Sequence, residues 1–184
     1  MKHRFVLVFM VLILVSCQKK ETNLVLDTPK IQSLKAADLY SKVYYISTSL
    51  NTENCIAYNI GCDCCDGKIV FLKGNRFISD YYCIPEEYFT TGTFEIKKDK
   101  LILIYSKKQA ILGPLDDSDY EAKDTLRLDT TPFDSLVLTI FTCHNKSLFK
   151  DKNEYYSEDT KTLISEAIND YKKRGVWEIL GLKD

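Results

Sequence analysis

Histidine is nearly missing from this 184-residue chain: there are two, His3 and His144. That leaves little for a histidine-based metal centre or a histidine general base. Tryptophan occurs once, at Trp177 near the end, so no tryptophan signature opens an early strand. Neither sign of charge is in excess, with 25 Lys and Arg against 26 Asp and Glu. Without a basic face, nucleic acid is excluded as a partner. No apolar run is long enough to cross a membrane as a helix; the longest, Phe5 to Val15, has 11 residues. Internal repeats are absent, as are the nucleophile elbow, the zinc-protease helix, the phosphate loop and the dinucleotide fingerprint. The expectation is a non-enzymatic protein with no cofactor.

What is present begins with Met1-Lys-His-Arg4, a basic start to the apolar run, which together read as an export signal. The run ends at Leu14-Val15-Ser16-Cys17, which resembles the lipobox of bacterial lipoproteins. That resemblance implies cleavage after Ser16 and acylation of Cys17, with acyl chains that hold the protein on a bilayer. No Asp follows Cys17, which points to the outer membrane, on either its periplasmic or its surface face. The expected organisation is a signal peptide at 1–16, an acylated tether at 17–33 and one β-rich domain at 34–184. The mature chain carries 23 basic and 26 acidic residues, a balance of −3.

The body alternates. A short helix is expected from Ser33 to Tyr40, then a strand over Lys42–Leu50, then an irregular stretch to Gly67. Lys68–Lys73 and Arg76–Cys83 make a hairpin about Gly74-Asn75. Gly92–Lys97 and Lys100–Ser106 make another across Lys98-Asp99. Strands follow at Thr125–Asp129 and Ser135–Cys143. The chain closes with an amphipathic helix capped by Ser157 or Asp159, carrying Leu163, Ile164, Ala167, Ile168 and Tyr171 on one stripe and ending at Gly175. About seven short strands and one late helix predict a mainly β fold, a small antiparallel calycin-like barrel or sandwich with one C-terminal helix.

Cys62-x-x-Cys65-x-Gly67, then Gly74-Asn75, then Gly92-Thr93-Phe94 follow one another in an order that resembles the lipocalin-like and NlpE-type bacterial lipoproteins. The resemblance covers about a quarter of the chain and implies a barrel.

Six cysteines remain besides Cys17: Cys55, Cys62, Cys64, Cys65, Cys83 and Cys143. An even number in an exported domain predicts disulfides tying the 55–65 loop to Cys83 and Cys143. The same sulfurs, with His144, are the alternative: a thiolate site for zinc or copper(I), or a redox pair at Cys62-x-x-Cys65. Asp63 and Asp66 disfavour the thiolate a redox role needs. Asp117, Asp119 and Glu121 alternate in an acidic loop that is a weaker candidate for calcium. Tyr44, Phe71, Phe77, Tyr81, Phe94 and Tyr105 recur along the strands. Inside a barrel they either fill the core or line a pocket for a small apolar ligand. The partners expected are therefore the membrane, through the acyl chains, and a small ligand or an envelope protein.

Overall fold

A computed structural model describes residues 34–59, 65–83, 85–114, 124–130 and 134–183. Three expected features lie outside these residues: the leader with Cys17, the pair Cys62 and Cys64, and the acidic loop with Asp117, Asp119 and Glu121.

Eight antiparallel strands close into a barrel. Going round it, they are β6 (Glu86–Lys97), β5 (Arg76–Cys83), β4 (Cys65–Leu72), β1 (Lys42–Ser47), β11 (Tyr155–Glu158), β10 (Lys146–Lys150), β9 (Leu136–Cys143) and β7 (Lys100–Gly113), which pairs back onto β6. β8 (Thr125–Asp129) extends the sheet from the far half of β7. β2 (Ser49–Asn51) and β3 (Ile56–Tyr58) form a separate hairpin. Two helices end the chain, α1 (Ile164–Lys173) and α2 (Val176–Ile179).

The period-two alternation sorts side chains to two cores. Inside the barrel lie Tyr44, Ile69, Phe71, Phe77, Phe94 and Leu101 among others. Outside it, Val43, Val70, Ile78, Phe89 and Ala110 face Ala167, Tyr171, Val176, Trp177 and Leu180 of the helical end. The apolar segment after Gly175 is thus the second half of a helical cover over the barrel wall. A buried polar contact fixes its position. Asp80, on the outer face of β5, accepts hydrogen bonds from the Tyr171 hydroxyl at 2.7 Å and the Lys68 amide at 3.0 Å, and pairs with Lys68 Nζ at 3.2 Å. Burial raises the Asp80 carboxyl above its usual range, and Lys68 and Tyr171 oppose that rise. Arg174 completes the clamp, paired with Glu87 and Asp170 and lying 4.8 Å over the Phe89 ring.

Two glycines are required by close approach of strands. A Cβ on Gly92 would lie 2.0 Å from the Ile104 carbonyl oxygen, and one on Gly67 would lie 2.5 Å from that of Asp80. Gly92 borders a bulge where Ser106–Lys108 of β7 stand opposite Thr91 of β6.

Several elements differ from expectation. The first helix is a single 3₁₀ turn, Ala36–Asp38, because one apolar turn packing into a barrel end needs no more length. The turn after β4 takes three residues, Lys73 to Asn75, with Gly74 and Asn75 both at positive φ. Within the stretch expected to be irregular, β2 and β3 pair instead. β10 and β11 are additional barrel strands, and Ser157 is buried in β11 rather than capping a helix. Asp159 accepts the Lys161 and Thr162 amides in a turn ahead of α1, which starts at Ile164.

Candidate functional site

Among the described residues the barrel is packed at one end and hollow toward the other. At the closed end Leu34, Ala36, Leu39 and Tyr40, around the 3₁₀ turn, pack against the interior cluster. Above them Tyr44, Phe71, Phe94 and Phe149 stack edge to face and tilted, with ring centroids 4.8–6.3 Å apart. Such packing leaves no room for a ligand.

Toward the other end the inward side chains become polar or small. Ser79 stands opposite Thr90, Tyr81 opposite Tyr88, and Thr90 opposite Gln109. Together with Ile46, Tyr105, Leu136, Glu154 and Tyr156 they surround a cavity of about 530 Å³, with Asp134 and Ser135 at its rim. The bulge in β7 lies along this wall, between Tyr105 and Gln109. Tyr105 forms the floor contact, its ring 5.3 Å from that of Phe77.

Hydrogen bonds hold Tyr156, Glu154 and Tyr88 in place. The Tyr156 hydroxyl donates to Glu154 Oε2 at 2.9 Å. The Glu154 amide donates to Asp151 Oδ1 at 2.8 Å, which fixes the link between β10 and β11 that carries the glutamate. At the other side Tyr88 donates to Glu86, which is also paired with Arg127 of β8. Glu86 is accordingly held below the usual carboxylate range, chiefly by the Tyr88 hydrogen bond.

Electrostatics follow from burial. Glu154 is raised above its ordinary range by burial and by the neighbouring charge of Asp151, against the lowering effect of the Tyr156 hydrogen bond. Burial also pushes the Tyr105 hydroxyl up to about 12, with the Glu154 and Asp151 charges adding to the rise. Tyr156 and Tyr81 are raised for the same reason, burial first and Glu154 second. These phenols stay protonated at neutral pH and act as hydrogen-bonding groups.

Of the aromatics singled out in the sequence, Tyr81 and Tyr105 line the cavity. Phe71, Phe77 and Phe94 are buried in the packed half, and Tyr44 is buried there too, while also bordering a second pocket of about 550 Å³ lined by Lys35, Asp38, Lys42 and Glu158. Gln109, Glu154, Tyr88 and Tyr156 complete the lining without having stood out in the sequence.

Among the described residues, Cys55, Cys83 and Cys143 are disulfide-bonded. Cys55 and Cys143 form a disulfide that ties the β2–β3 turn to the end of β9, across a sequence separation of 88. Cys83 is disulfide-bonded as well, and its backbone lies opposite Cys65 in the β4–β5 ladder. His144 is exposed beside the first bridge, with Nε2 3.2 Å from the Thr52 carbonyl oxygen. Its nitrogen lies within 4.8 Å of both bridged sulfurs. Those sulfurs have no thiolate to offer a metal while the bridge is intact.

No family model matches the chain, and no curated protein matches it. Among solved structures, a streptavidin-like protein from Bacteroides eggerthii DSM 20697 is similar at 12% identity and a TM-score of 0.45, over 76% of this chain and 90% of that one. The barrel itself is defined by the pairing of its own strands.

Proposed function

We propose that the protein is a non-enzymatic, lipid-anchored receptor of the bacterial outer membrane that holds a small organic ligand in the open end of its barrel. One observation carries this reading: a cavity of about 530 Å³, with aromatic walls and a few converging polar groups, above a fully packed plug. That size and composition suit a drug-sized ligand. Most of the site is also preformed, since all of its lining except Asp134, Ser135 and Glu154 belongs to ladder-bound strands, and this lowers the ordering cost of binding.

The anchor rests on Leu14-Val15-Ser16-Cys17 following an apolar run. The Cys55–Cys143 bridge supports an oxidising compartment. Replacing Cys17 with Ser is expected to move the protein from the membrane fraction to the soluble fraction; an unchanged distribution would rule out acylation there.

Ligand occupancy is tested by purifying the protein from native membranes, denaturing it and weighing the released small molecules by mass spectrometry. Thr90→Trp, which puts an indole into the cavity, is the control. A compound released near stoichiometry by the wild type and missing from a folded Thr90→Trp protein is the expected result. Equal release from both would place the compound elsewhere.

A further inference from the structure

The open end of the barrel has a sign. Its described lining holds two carboxylates, Glu154 and Asp134, and no lysine, arginine or histidine. Glu154 is half-buried; among the described residues its one side-chain hydrogen-bond donor is the Tyr156 hydroxyl, and the charge that acts on it, Asp151, has the same sign. Among the described residues no basic side chain pairs with it. The rings of Tyr81, Tyr88 and Tyr105 stand around the same space.

Three ligand charges can be compared against that lining. An anion would face two carboxylates in a site of lowered dielectric, where repulsion is stronger than in water. A neutral ligand would leave the Glu154 charge half-desolvated and without a counter-charge. A cation would gain a charge-assisted hydrogen bond from Glu154 and favourable contact with the tyrosine ring faces. Exposed Asp134 at the rim adds attraction on entry. Taking the cavity as a ligand site, we infer that its ligand is an organic cation, a protonated amine or guanidinium on an aromatic or aliphatic frame, seated with its charge on Glu154.

Three probes of one shape separate the cases: phenylbutylamine, phenylbutanol and phenylbutyrate, titrated calorimetrically into the folded protein at neutral pH. The amine is expected to bind about tenfold more tightly than the alcohol, the difference between a charge-assisted and a neutral hydrogen bond, and the carboxylate most weakly. Glu154→Gln keeps an acceptor for Tyr156 while removing the charge. It is expected to bring the amine down to the affinity of the alcohol and to leave the alcohol unchanged. If the alcohol or the carboxylate matches the amine, or if Glu154→Gln leaves the amine untouched, the cation assignment is overturned and the cavity remains a ligand site. If the wild type binds none of the three while its circular dichroism shows an intact barrel, the site itself is overturned. The wild-type ranking is informative even if the variant does not fold.

Discussion

Asp80 and Glu154 are two buried or half-buried carboxylates in opposite situations. Asp80 sits in the outer core with three donors around it and binds the helical cover to the wall. Replacing it with Ala leaves the fully buried Tyr171 hydroxyl without its acceptor, at a cost of about 1–3 kcal/mol. Urea denaturation is the check; a variant as stable as the wild type would contradict the anchoring role. Glu154 faces the cavity with one donor, and its folded-state value lies above its ordinary 4.5. Protons are therefore bound more tightly in the folded state. Its contribution to stability is complete below 4.5 and is lost as the pH rises through the raised value. Burial sets this titration first, with the Tyr156 hydrogen bond opposing the rise and the Asp151 charge adding to it. The stability of the wild type relative to Glu154→Gln should accordingly fall as the pH rises above 4.5. Asp80, also raised, is common to both proteins and cancels. A difference that grows with pH would contradict the assignment.

At the scale of elements, the covers outside the barrel are attached in different ways. The helices are held by apolar burial and the Asp80–Tyr171 contact. The β2–β3 hairpin buries little besides Cys55 and Ala57, so its attachment depends on the Ala57 amide bond to Ser157 and on the disulfide. In the chain-entropy view, closing a loop of this length stabilises by about 4–5 kcal/mol. Joint replacement of Cys55 and Cys143 by Ser should therefore lower stability by up to that amount and speed amide exchange in the hairpin first. Equal exchange rates in the two proteins would show that the bridge is not what holds it. The elements legible in the sequence were those with clean alternation. β4 to β8 show it, β9 was legible as a longer apolar run, and α1 shows a clear stripe of period 3.6. β10 and β11 were not legible. Each is four or five residues long, β10 follows β9 across His144-Asn145 rather than an Asn-Gly pair, and Ser157 faces a covering hairpin that no local pattern announces.

The whole molecule is a barrel divided between structure and function, packed by phenylalanines below and lined by tyrosines above. That division explains what the sequence could show of the site. Tyr81 and Tyr105 were legible as inward aromatics, but nothing local distinguishes them from Phe71 or Phe94, because the depth of a residue along the barrel depends on register and tilt. Glu154 was illegible, since it lies in a polar link between strands that were themselves missed. That the tyrosine end is a binding site is tested by ring-selective tyrosine NMR during titration with phenylbutylamine. The resonances of Tyr81, Tyr88, Tyr105 and Tyr156 are expected to move together and saturate, while those of buried Tyr44 and Tyr171 stay in place. Saturable shifts confined to exposed Tyr58 or Tyr82, with the four cavity tyrosines unmoved, would contradict it.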